Sequence, residues 1–414
     1  MRTSISTRFR RPWRVVLGVI VVSALALFVT TATGAGSSGA TPTGTPITVM
    51  TIAPSQYNGP AFKNILEAAR VYGDWINAHG GIKGHPLHVI TCDERGDPNQ
   101  LANCARKAVS SHAVAVVGSY SNNGAAAMPI VEKAKIAWFG GCCPTVPDEL
   151  GNPDSFPLGS GFGVIAGLAV KAGQVCKKPA LAVLDYPGKP FVELLVNNAL
   201  KGSGVKLVKT VTFPLTVGGD LSPQIADLTN GTDCAIAALG EANWAAFLPA
   251  YKQSGAHVRL MGAQGNLDAK VIKPFAAETE GSIICGIYPD LSEPVWKDYR
   301  AALKKYHADP TQDYNTLGGL GAWAAYVAFT NIVKAIPGDN ITNLTFLAQA
   351  NKTTALKTGG LLPTINFTKP WTNGLKGFSR VFNRNVTFQT VKNGKVVPLT
   401  RGFLDITKNV LGKG

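Results

Sequence analysis

What most restricts the fold of this chain is a repeated alternation between two hydrophobic periods. Short, nearly continuous apolar runs rich in β-branched residues occupy residues 47–53, 87–93, 113–118 and 136–140. Such runs fit strands buried on both faces. Stretches of helical spacing separate them. In the clearest, residues 61–79, the apolar positions Phe62, Ile65, Leu66, Ala69, Tyr72 and Ile76 recur on one face, and Gly80-Gly81 ends the pattern. A strand–helix series of this kind implies a parallel sheet with helices on both sides. The series then starts again, with strands expected at 180–185, 205–213, 234–239, 258–262 and 282–287 and helices at 191–200, 243–253 and 268–277. Residues 151–161 are rich in Gly, Pro and Ser and read as a crossing between the two series. Helices at 293–306 and 317–335 are expected back on the first half, and strand-like pieces at 386–391 and 395–399 on the second. The chain has 414 residues, 45% of them apolar, enough for two sizeable cores, since single cores rarely outgrow roughly 250–300 residues. The expected division is an N-terminal lobe of 47–156 plus 290–360 and a C-terminal lobe of 157–289 plus 361–412.

The start of the chain reads as an export address. Arg2, Arg8, Arg10, Arg11 and Arg14 precede an apolar stretch over 15–29, and small residues follow around Ala32 and Ala35. Residues 1–35 are therefore expected to be a signal peptide and 36–46 a flexible linker. The apolar stretch is short for a bilayer, which needs roughly 20 residues; an uncleaved anchor is the alternative. The net charge is +15, five of it in these arginines. The remaining lysines are scattered, so no basic stripe for nucleic acid forms, and a basic exterior facing an anionic cell envelope is expected instead. Export permits disulfides among the seven Cys. Cys92 ends a strand and Cys104 lies in the next helix, within disulfide reach; Cys176 and Cys234, each at or before a strand start, are a second candidate pair. The odd count leaves at least one thiol free.

The segment Ile76-Asn77-Ala78-His79-Gly80-Gly81-Ile82-Lys83-Gly84 resembles a segment of the Leu/Ile/Val-binding family of type I periplasmic binding proteins. The strand ending in Asp93, the Gly96-Asp97-Pro98 helix start and Gly59-Pro60 strengthen the resemblance, which is good over 47–136, looser to 289 and weak beyond. It implies two Rossmann-like α/β lobes with parallel sheets, joined by crossing hinge strands. It also implies an exported, non-enzymatic protein that closes on a small molecule and delivers it to an ABC transporter permease. A ligand-sensing receptor ectodomain of the same fold is a second reading, and an enzyme on a doubly wound scaffold a third.

In open α/β sheets, ligands lie beyond the carboxyl ends of the strands. That rule selects Tyr57, the 119–123 loop, the 141–144 loop, Tyr186, Phe191, Glu241 and Gln264. The resemblance implies that Ser119, Ser121 and Asn122 hold a ligand carboxylate, and that backbone groups beside Cys142 and Cys143 face the ligand. Tyr186 and Phe191 are expected as aromatic walls. Gly163 and Gln264 stand where the family's amino-acid binders carry acids, leaving Glu241 as the acid of the second-lobe loops. The expected ligand is therefore an amino acid or a related small carboxylate or amide. No P-loop, nucleophile elbow or zinc-protease motif is present, and adjacent cysteines alone do not supply a metal's ligand set. No cofactor or metal is expected.

Overall fold

The computed structural model describes residues 41–56, 61–141, 147–159, 161–186, 188–215 and 218–413. The expected signal peptide, residues 36–40 of the linker, and Tyr57, Cys142 and Cys143 lie outside the described residues. Among the described residues no helix is long and apolar enough to cross a membrane.

Two sheets organise the fold. The first contains β1 (Ile47–Ala53), β2 (Leu87–Asp93), β3 (Ala115–Val117), β4 (Ala137–Phe139) and β5 (Ser155–Phe156), in the order β2-β1-β3-β4-β5 and parallel throughout. Successive side chains of a strand point to opposite faces. Val49, Ala115, Val117 and Phe139 accordingly pack with the helices Lys63–Ala78 and Leu317–Ala335, whereas Met50, Ile52, Val116 and Trp138 pack with Pro98–Ser110 and Met128–Lys133. Two buried hydroxyl pairs tie this layer: Thr51 Oγ1 of β1 with Tyr326 OH at 2.7 Å, and, between the two helices, Tyr72 OH with Thr330 Oγ1 at 2.8 Å.

The second sheet holds the parallel strands β6 (Pro179–Leu184), β7 (Lys209–Phe213), β8 (Cys234–Ala238), β9 (Arg259–Ala263) and β10 (Ile283–Gly286). The antiparallel β11 (Asn385–Lys392) and β12 (Lys395–Pro398) extend it to the order β12-β11-β10-β9-β8-β6-β7, and β13 (Leu404–Asp405) pairs with β11. The sheet is thus mostly parallel, not wholly so. The helices Gly161–Val175 and Lys189–Leu200 cover one face, Ser222–Thr229 and Glu241–Ser254 the other.

The crossing expected over 151–161 is shorter than that. Residues 155–156 form β5 and a helix begins at Gly161, so Gly163 lies within a helix and is buried. Gly161, Gly163, Gly167 and Gly173 obscure the pattern, because Gly disfavours helix by about 1 kcal/mol each. Tertiary contact explains at least one of them: a Cβ on Gly167 would lie 2.6 Å from Cys285 Sγ and 3.1 Å from Val386. The helix Asn343–Lys352 was also not anticipated; Thr342 and Thr345 cap it reciprocally.

The hydrophobic interior differs from two separate cores. One buried cluster runs from Val49 and Phe139 through Phe156, Leu158 and Phe162 to Leu181, Met261 and Cys285, with a smaller cluster on the outer face of each sheet. The segments that pass between the sheets are tied side to side: Asn383 Nδ2 donates to Leu158 O at 2.8 Å and Thr387 Oγ1 to Tyr288 O at 2.7 Å. Residues 361–384 touch β5 of the first sheet and a helix that covers the second. Phe367 meets Phe156 at 5.2 Å, while Phe378 stacks on Phe191 at 5.6 Å. Disulfides join Cys92 to Cys104 and Cys176 to Cys234, and Cys285 is a free, buried thiol whose pKa burial pushes up.

Candidate functional site

The carboxyl ends of β3 and β4 set the first wall. Gly118 (φ +63°) and Gly140 (φ +76°) follow these strands and turn the chain where the Leu317–Ala335 helix comes closest. A Cβ on Gly140 would lie 2.5 Å from Ala325 Cβ, and one on Gly118 3.1 Å from Ala322 Cα. Left-handed backbone and close approach both demand glycine here.

Beyond Gly118, Ser119 is buried and its Oγ accepts the Ile52 N–H at 2.9 Å. Ser121, also buried, donates to Glu94 Oε1 at 3.1 Å and accepts the Asn123 N–H at 3.0 Å. Asn122 is exposed, with Oδ1 accepting from Tyr120 OH at 2.9 Å. Both serine hydroxyls therefore already brace the loop, and Ser121 does so against a buried carboxyl. Burial pushes the Glu94 carboxyl up, against the pull of Ser121 and Asn123. After Gly141, the first turn of Pro147–Gly151 places Glu149 next to the Trp138 indole of β4. Sequence reasoning missed Glu94, Trp138 and Glu149. The available signal was that Glu94 directly follows a strand and Glu149 follows a strand-end loop.

The second sheet contributes a separate set. Tyr186, after β6, is 38% exposed and its ring covers the backbone of Gly188. Phe191 stacks on Phe378 and meets the edge of Phe162 at 6.2 Å. Glu241 opens the Glu241–Ser254 helix; burial raises its carboxyl, Lys270 lowers it and Asp313 raises it. Gln264, after β9, is 1% exposed, lies over Gly286, and neither atom of its side-chain amide has a hydrogen-bond partner among the described residues. Asp268 caps the next helix through Val271 N at 2.9 Å, and burial, with Glu241 and Asp313 adding, pushes it up to about 6. Asn266 Nδ2 donates to Leu239 O at 3.0 Å, which ties the loops after β8 and β9 together.

A loop of the second sheet reaches a helix of the first. Gly265 (φ +84°) abuts Thr316, the N-cap of the Leu317–Ala335 helix that packs on the first sheet. Phe191 instead gathers with Phe162 and Phe378. A cavity of about 490 Å³ lies elsewhere, between the Lys63–Ala78 helix and the edge strand β2. Its charged side chains pair with neighbours, Lys63 with Asp309 and Arg70 with Glu67 and Asp74. Among the described residues Cys176, Asp233 and Cys234 come within metal-binding range of one another. The cysteines are bonded together, and Asp233 accepts the N–H groups of Lys177 and Lys178.

Residues 46–395 match a model of the family described as periplasmic binding protein. No curated protein sequence matches the chain. Solved structures share the fold at low identity. A substrate-binding periplasmic protein from Ralstonia solanacearum is 16% identical, with a TM-score of 0.70 over 85% of this chain and 99% of that one. A leucine binding protein from Thermotoga maritima is 16% identical, with a TM-score of 0.66 over 87% and 99%. A solute binding protein of an ABC transporter from Rhodopseudomonas palustris, solved with 3,4-dihydroxy benzoic acid, is 15% identical, with a TM-score of 0.70 over 88% and 98%. Two sheets of mainly parallel strands covered by helices and a family match across most of the chain lead to one conclusion: this chain belongs to the type I periplasmic binding proteins.

Proposed function

We propose that the chain is an exported solute-binding component of an ABC importer, which binds an amino acid or a related small carboxylate or amide and presents it to a permease. The observation that carries this reading is the meeting of Gly265, past β9 of the second sheet, with Thr316, at the end of a helix packed on the first. On this reading the strand-end loops of both sheets share one crevice, the place where open parallel sheets take ligands. The lobes on either side are 47–156 plus 290–360 and 157–289 plus 361–412, rocking about the tied crossings near Leu158, Tyr288 and Asn383. Related folds have been solved with an aromatic acid and as a leucine binding protein, which supports a carboxylate-bearing solute. The protein acts by binding and release, and it needs no cofactor.

A thermal-shift screen of the purified chain against leucine, aliphatic amides and aromatic carboxylates tests the reading. A solute held only by the fold stabilises it by about 2.7 kcal/mol at a hundredfold excess over Kd. At least one such solute is expected to raise the melting temperature by several degrees. A broad panel that leaves it unmoved contradicts the proposal.

A further inference from the structure

The outer edge of the first sheet is open. β2 is its end strand, and all 7 residues of β2 pair with β1 in unbroken register. In a parallel pair, alternate residues of a strand turn their peptide groups toward the neighbour. Pro86 O and the Glu94 N–H bond to β1, so the even-numbered residues face inward and Leu87, Val89, Thr91 and Asp93 face outward. Asn77 closes the first of these: its Nδ2 donates to Leu87 O at 2.9 Å, and its Oδ1 accepts the Leu87 N–H at 2.7 Å. The outward peptide groups of Val89 and Thr91 have no partner among the described residues. Monomeric proteins commonly blunt such an edge with Lys, Pro or a bulge. Leu87–Asp93 carries none of them.

The Lys63–Ala78 helix lies over β1 and β2 and turns a charged stripe toward this edge, along the cavity of about 490 Å³. Lys63, Glu67, Arg70 and Asp74 follow one another along the stripe and alternate in sign. Lys63 and Asp74 share one midpoint with Glu67 and Arg70, between Ala68 and Ala69. A second copy of the helix laid alongside in the opposite direction therefore sets Lys63 against the partner's Asp74 and Glu67 against the partner's Arg70. Every cation meets an anion, and the stripe is complementary to itself, as a two-fold interface demands. The ion pairs within the chain leave it open: the side chains of Lys63, Arg70 and Asp74 are 50%, 42% and 47% exposed. We propose that β2 and the Lys63–Ala78 helix form a two-fold interface with a second copy of this chain, the two β2 strands pairing antiparallel into one continuous sheet.

Helix and strand agree on where the axis falls. Strands lie about 4.8 Å apart, so helices seated over β1 and β2 of each copy come within about 9.6 Å of each other. That is the ordinary packing distance of two helices, about 8–10 Å. A Cβ on Gly73 would lie 3.0 Å from Val89 Cγ2, and Asn77 is bonded to Leu87, which sets helix and strand levels. At about 1.5 Å per helical residue and about 3.3 Å per strand residue, either level carries the midpoint between Ala68 and Ala69 onto Thr91. Thr91 is exposed and its peptide groups face outward, so it can pair with itself across the axis. Val89 then meets the partner's Asp93, and Leu87, already served by Asn77, is left out of the pairing. The interface is independent of the solute-binding reading.

Sedimentation velocity of the purified chain without solute, from about 1 to about 100 µM, tests the interface. A monomer–dimer equilibrium is expected. Thr91→Lys sets like charges face to face on the axis and is expected to raise the dimer Kd about tenfold or more. Lys63→Glu and Asp74→Lys are each expected to weaken the dimer, and the double variant Lys63→Glu with Asp74→Lys to recover it. Within one chain the two positions lie about 16 Å apart along the helix. Each reversal also meets a like charge in its own chain, Asp309 or Arg70, so recovery in the double variant comes only from across the axis. Should Thr91→Lys not fold, the charge-reversal series decides alone. A chain that stays monomeric over this range overturns a second copy as the occupant of the edge. A dimer indifferent to Thr91→Lys, or a double variant no tighter than its two parents, overturns the pairing as well. None of these results touches solute binding, which the thermal-shift screen tests separately.

Discussion

Glu149 links stability to pH. Its carboxyl rises to about 8 in the fold, mainly through burial, from an ordinary 4.5. The folded state therefore holds a proton that the unfolded state releases. That contribution is complete below about pH 4.5 and is lost as pH climbs through about 8, at about 1.4 kcal/mol per unit. The melting temperature of the wild type is expected to fall between about pH 5 and about pH 8, and that of Glu149→Gln to change less over the same range. Scanning calorimetry of both proteins checks this. Gly140 gives a second prediction. Gly140→Ala imposes a left-handed backbone on a residue with a Cβ and drives that Cβ against Ala325. A loss of about 2–4 kcal/mol is expected in denaturant titration. Ser119 and Ser121 could be read in the sequence because they directly follow a strand. Trp138 and Glu149 could not, since a Trp inside a strand reads as core and a Glu after Pro-Asp reads as a helix start. Only the tertiary fold brings them side by side. Gln264 was legible as a position, and its unpaired amide was not.

Among the elements, the regular strands and long helices were legible because each carries its own period. The Leu317–Ala335 helix shows a long apolar face, and β1 and β2 are continuous β-branched runs. Elements whose form depends on neighbours were not. The Gly161–Val175 helix is glycine-rich so that it can lie close to Cys285 and Val386. β5 has only two residues and exists through its pairing with β4. The disulfides separate by the chain they close. Cys92–Cys104 spans 12 residues and Cys176–Cys234 spans 58. Loop-closure entropy alone gives about 3 kcal/mol for the first and about 4 for the second. The double variant Cys176→Ala with Cys234→Ala is expected to lose more stability than Cys92→Ala with Cys104→Ala. Urea midpoints of the two double variants test that order, and the reverse order would show that native-state strain or residual structure outweighs loop length.

Across the whole molecule, one hydrophobic cluster runs through the crossings and links the two sheets, while the crossings themselves are laced by side-chain hydrogen bonds from Asn383 and Thr387. On the proposed function, this joint is the hinge about which the two sets of strand-end loops approach or part. Solute is expected to favour the approached state because it alone offers contacts from both sets. The most direct test is hydrogen exchange of the backbone amides with and without a saturating solute found by the thermal screen. Protection is expected to rise together in residues 119–123 and 264–268. Protection confined to one set, or appearing instead along the cavity between the Lys63–Ala78 helix and β2, would contradict binding between the sheets.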